Sequence, residues 1–161
     1  MPLEANIEDA DVNYYYISGN TARELRQSIN KNRPGKKRYD AITKWNVKWK
    51  WPGYGKSNCD LSRAELNHSI VVTLPYWEPP DDADPSVVNR WKRYMSNLSY
   101  HEQGHVDIFF KYYNQMENVL ENSNCDDAKG ELEEILQELK EKNRSYDSRT
   151  RHGATQGATF P

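Results

Sequence analysis

The chain has 161 residues and a formal net charge of −2, enough for one domain with a buried core. Near-neutrality excludes a whole-molecule field that would draw it to nucleic acid or to an anionic membrane surface. No apolar run approaches the ~20 residues of a membrane span, and the N-terminus lacks the apolar stretch of a leader.

Residues 1–11 are acidic and weakly patterned and read as a loose lead-in. Met1-Pro2-Leu3-Glu4 fits a cytosolic start, or a start placed where a leader was removed. Val12 to Ile17 is β-branched and aromatic, which predicts a strand. Thr21-Ala22-Arg23-Glu24 has capping-box spacing. It predicts a helix with Leu25 and Ile29 inside that stops before Pro34-Gly35.

Tyr39 to Trp51 alternates, with Thr43, Trp45, Val47, Trp49 and Trp51 on one side and Ile42, Lys44, Asn46, Lys48 and Lys50 on the other. That is a long strand with an aromatic face. The aromatic face suits a core; the strand's edge would also suit an extended peptide adding as a further strand. Ser69 to Leu74 predicts another strand, with Leu61 to Asn67 leading into it, and Tyr76 to Asp82 is a Pro-rich connection. The sequons at Asn67, Asn97 and Asn143 read as incidental.

Asp84-Pro85 reads as N-cap and first helical residue. Val87, Val88, Trp91, Met95, Leu98, Phe109, Tyr112, Met116 and Val119 recur at helical spacing. They describe one helix from about Pro85 to Leu120, or two with a break near Ser96-Asn97. A second helix is expected from Ala128 to Asn143, with Leu132, Ile135, Leu136 and Leu139 inside. Residues 145–161 are polar, lack a helical stripe, and read as a tail. The fold class is thus α+β: a small, mainly antiparallel sheet, a long helix carrying the chemistry, and a second C-terminal helix.

The chemistry centres on His101-Glu102-Gln103-Gly104-His105. On a helix, residues four apart share a face, so two imidazoles point at one spot and Glu102 reaches a water held there. Two neutral imidazoles and a carboxylate are the parts of a catalytic Zn²⁺ site. A lone histidine on an apolar stripe is usually a core residue. A glutamate inside the same stripe, however, needs a partner to offset its burial. Gly104 costs helix stability and leaves a bare surface by which something can approach.

A third ligand must come from elsewhere. Ile108 and Lys111 break the longer His-Glu-x-x-His-x-x-Gly-x-x-His spacing. His152, followed by glycine in a polar tail, is the first candidate. Asp147 and the helix glutamates (Glu131, Glu133, Glu134, Glu138) come behind it, and His68 last. Tyr146 is a candidate oxyanion donor, with packing as its ordinary reading. Asp107 would either orient a histidine or face solvent. Cys59 and Cys125 sit in polar, loop-like surroundings, which predicts a disulfide and an oxidising compartment. Its long loop is worth about 4 kcal/mol in the chain-entropy description.

Tyr14 to Thr21 (Tyr-x-x-x-x-Gly-x-Thr), the tryptophan-rich strand Trp45 to Trp51, His-Glu-Gln-Gly-His, and Tyr146 to Gly157 (Tyr-Asp-x-x-Thr-x-His-Gly-Ala-Thr-Gln-Gly) together carry a resemblance. They resemble a bacterial domain-of-unknown-function family described as a predicted secreted zinc-dependent protease. The resemblance implies a zincin-like domain over residues 1–161, zinc on His101, His105 and His152, and Glu102 as general base. It also implies peptide hydrolysis and a secreted or periplasmic location. The substrate would be a peptide or protein, and a monomer is assumed. Two other readings share these residues: a non-enzymatic zinc-containing domain that binds peptide or glycan, and a zinc hydrolase of a non-peptide amide.

Overall fold

The computed structural model describes residues 5–35 and 38–161. Three strands form one sheet in the order β1-β3-β2. β1 (Asp11–Ile17) lies parallel to the central β3 (Glu65–Trp77), with Tyr14 opposite Leu74. β2 (Ile42–Lys50) lies antiparallel to β3 on its other side, with Thr43 opposite Val72. The sheet is therefore mixed rather than mainly antiparallel. Between β1 and β3 the chain runs through helix α1 (Ala22–Asn32) and β2, a crossover long enough to return it in the same direction.

α1 begins where the capping box places it. Thr21 Oγ1 accepts from the Glu24 amide, and Glu24 reaches back to the Thr21 amide. β3 runs three residues past the predicted Leu74, through Pro75. β2 begins at Ile42 opposite Thr73, so β3 has no β2 partner at Pro75 and the missing Pro75 N–H costs no bond to β2.

Helix α2 (Pro85–Asn122) is 38 residues long and unbroken at Ser96-Asn97. Asp84 caps it by accepting from the Ser86 amide. Its apolar stripe packs on the sheet, with Trp91 against Trp77 and Phe109 against Trp45. Trp91, Phe109 and Met116 are fully buried, as are Val72 and Leu74 of β3. Burial of side chains of this size contributes about 1.5–3 kcal/mol each.

Helix α3 (Ala128–Thr150) returns along α2. The Cys59–Cys125 disulfide ties the loop after β2 to the turn between α2 and α3. α3 runs seven residues beyond the predicted Asn143, and its last two turns carry a polar face of Asn143, Tyr146, Asp147 and Thr150. The segment read as a tail is therefore helical as far as Thr150. Beyond it Arg151 and His152 have φ of 51° and 53°, and Gly153 has φ of 89°. This left-handed run turns the chain back across α2. A Cβ on Gly153 would stand 3.0 Å from Cγ of His101, so glycine meets both the backbone and the space requirement.

Candidate metal centre

α2 supplies His101, Glu102 and His105, all buried, to one wall of a cavity of about 350 Å³. α3 supplies Asp147 to the opposite wall, and β2 supplies Thr43. The two helices close on each other at Gly104. A Cβ there would collide with the Tyr146 hydroxyl, so the bare surface of Gly104 seats a tyrosine from α3. The Tyr146 ring then stacks on His101, with centroids 4.9 Å apart and planes 10° from parallel.

Oδ1 of Asp147 lies 3.1 Å from Nε2 of His101 and 2.9 Å from Nε2 of His105. These three residues offer ligand atoms all within 4.8 Å of one another. What makes the group informative is where the ring protons go.

Nδ2 of Asn143 donates to the Leu139 carbonyl, which turns Oδ1 of Asn143 toward Nδ1 of His105 at 2.7 Å. Nε2 of Gln156 donates to the Tyr146 hydroxyl, and that hydroxyl donates to the His101 carbonyl. Oε1 of Gln156 is thereby turned to Nδ1 of His101, also at 2.7 Å. The Thr150 hydroxyl spends its proton on the Tyr146 carbonyl and accepts the Gly153 amide. Each Nδ1 thus faces an amide oxygen that only accepts, and must carry the proton. In the neutral rings both Nε2 lone pairs then point at a carboxylate oxygen. Three electron-pair donors converge, and only a cation resolves them: a proton on a ring, or a metal ion.

The electrostatics agree. Burial alone would lower the pKa of His105, but its hydrogen bonds to Asp147 and Asn143 raise it. Burial likewise opposes ionisation of Asp147, and the bonds to His101 and His105 outweigh it, holding the carboxyl far below its usual range. Burial pushes the Glu102 carboxyl up, opposed by the Thr43 hydroxyl that donates to its Oε2.

His101, Glu102 and His105 lie together as the helical spacing requires. Asp147, ranked behind His152 on sequence, stands between the two histidines. His152 lies at the rim, half exposed, with Nδ1 3.5 Å from the same Asp147 oxygen and its ring stacked on Tyr39. Tyr146 is buried with its proton committed to the His101 carbonyl. Asp107 faces solvent and accepts from Gln103. Glu131, Glu133, Glu134 and Glu138 are exposed, and His68 packs among Phe109, Phe110 and Tyr113. Asn143, Gln156 and Thr43 were not singled out by sequence reasoning. The Gln156 signal lay inside the Tyr146 to Gly157 motif, whereas Asn143 and Thr43 carried none.

Fold and site define an α+β domain with a two-histidine, one-carboxylate group that could hold a metal ion, beside a buried glutamate. The chain belongs to the bacterial family DUF922, described as a bacterial protein of unknown function, whose model matches residues 12–153. No curated protein and no solved structure matches it.

Proposed function

We propose that the protein is a zinc-dependent hydrolase of peptide bonds. The observation that carries this reading is the convergence of both Nε2 atoms and the Asp147 carboxylate, with each Nδ1 proton already committed to an amide oxygen. His101, His105 and Asp147 would hold the ion, and His152 stands beside Asp147 at the rim. Asn143 and Gln156 fix the tautomer and orientation of the rings. Nitrogen and oxygen donors in this number suit Zn²⁺ with a position left for water. Bound there, zinc supplies Lewis acidity toward a carbonyl oxygen and lowers the pKa of water.

Glu102 does the proton work. It takes a proton from the attacking water and delivers it to the leaving amine. Thr43 holds its carboxylate in place, and its raised pKa suits a group that must keep the proton between those two steps. Tyr146 positions rather than reacts: it wedges α3 onto α2 at Gly104 and aligns Gln156. β2, an edge strand among the described residues, borders the cavity through Ile42, Thr43 and Trp45, where an extended peptide could add as a further strand. The disulfide, which persists in oxidising compartments, favours a secreted or periplasmic setting.

The test is cleavage of a broad peptide library by zinc-loaded wild type and by Glu102→Gln. Wild type is expected to cleave, and the variant to lose at least about 100-fold in rate, the low end for a general base. Intact cleavage by the variant, or none by zinc-loaded wild type, would contradict the reading.

A further inference from the structure

The cavity mouth carries three arginines, Arg38, Arg144 and Arg151. All three are exposed, and among the described residues none lies within ion-pair distance of a carboxylate. The acids nearby are already engaged. Asp40 is taken by Arg26 and Arg33, and Asp147 faces three histidines. Glu102 is buried on Thr43.

Arg144 lies on α3 three residues before Asp147, and Arg151, four residues after it, is the left-handed residue that ends the helix. Arg144 is therefore about one helical turn, or roughly 5 Å along the axis, from Asp147, and Arg151 lines the same cavity. Arg38 comes from the loop before β2. The chain as a whole is slightly acidic, so this cationic mouth is a local feature. Cations lining a cleft concentrate anions there, and a guanidinium grips a carboxylate through two parallel N–H bonds.

We propose that Arg144 and Arg151, with Arg38 beside them, select substrates bearing a carboxylate next to the bond to be cut. The inference rests on the hydrolase reading above and names its substrate class. The carboxylate comes either from an acidic side chain or from the free end of a peptide chain, and the same guanidinium chemistry reads both.

The test uses the full-length Glu102→Gln chain loaded with zinc and three fluorescein-labelled peptides of one length, followed by fluorescence anisotropy. One peptide has an internal Asp and an amidated end, one a neutral body and a free carboxylate end, and one is neutral and amidated. At least one carboxylate peptide is expected to bind about tenfold or more tightly than the neutral one, as fits a charge-assisted hydrogen bond. Which of the two does so identifies the source. Arg144→Gln with Arg151→Gln in the same background should keep its zinc and bind every peptide as wild-type arginines bind the neutral one. Equal binding of all three peptides within about twofold, or a preference that survives the double substitution, overturns the proposal. Incubating the same peptides with wild type tests the hydrolase reading separately: tight binding without cleavage defeats that reading and leaves the charge selection standing.

Discussion

Two half-buried carboxylates lie on the same cavity, and they are completed in opposite ways. Asp40 is surrounded by donors. Arg26 holds both its oxygens at 2.9 and 2.8 Å, Arg33 adds a bond at 3.1 Å, and the Tyr94 hydroxyl adds another. Burial pushes the Asp40 carboxyl up, and these partners outweigh it and hold the pKa down. Asp147 is instead faced by two ring nitrogens whose protons are pledged elsewhere. The protein supplies its own cations to Asp40, whereas Asp147 and the two histidines form a group that could hold one. The difference separates a structural ion cluster from a group that could hold a metal ion, without appeal to any motif.

Breaking the structural side should have the largest effect on stability. Asp40→Asn strands two guanidinium groups and the Tyr94 hydroxyl. It should destabilise by about 1.5–3 kcal/mol in denaturant titration, the range for hydrogen bonds to charged groups, and by the same amount with and without zinc. On the other side, Asn143→Leu removes the acceptor that fixes the His105 tautomer. It should weaken zinc binding about 10- to 100-fold, measured by competition with a chelating dye, and cost the chelated protein about 1 kcal/mol for the buried His105 N–H left unpaired.

The smallest effect expected is on pH dependence. The raised pKa of His105 gives a contribution fully present below its unfolded value, about 6.5, and lost as pH rises through the folded value. The lowered pKa of Asp147 gives one present above about 3.9 and lost as pH falls through the folded value. Chelated protein should therefore lose a little stability as pH climbs past the His105 pKa. Zinc affinity should rise over that same interval, because the proton no longer competes. Urea titrations across pH, with and without zinc, compare the two slopes.

How far the sequence disclosed this arrangement depends on which face each residue uses. The apolar stripe of α2 and the capping signals at Thr21 and Asp84 placed both helix starts, and the histidine spacing placed His101 and His105. The two cysteines pointed to the disulfide found. The end of α3 was hidden because its inward face there meets the cavity and is polar. Asn143, Tyr146, Asp147 and Thr150 follow helical spacing, yet a search for apolar periodicity reads them as tail. Asp147 then reads as a residue of a non-helical tail, whereas its helix aims it between two imidazoles. Asp40 was equally silent, since pairing with Arg26, Arg33 and Tyr94 leaves no local pattern. Parallel pairing of β1 and β3 is likewise a property of the long crossover between them, not of either strand.

The central claim, that Asp147 and two histidines await a cation, is tested most directly by zinc titration calorimetry of wild type, Asp147→Asn and His152→Ala side by side. Wild type is expected to take one ion per chain with release of protons. Asp147→Asn should lose more than about 100-fold in affinity, beyond the range for a residue that only supports a ligand, and His152→Ala should lose less. Equal affinity in wild type and Asp147→Asn, or no zinc binding by wild type, would contradict the account.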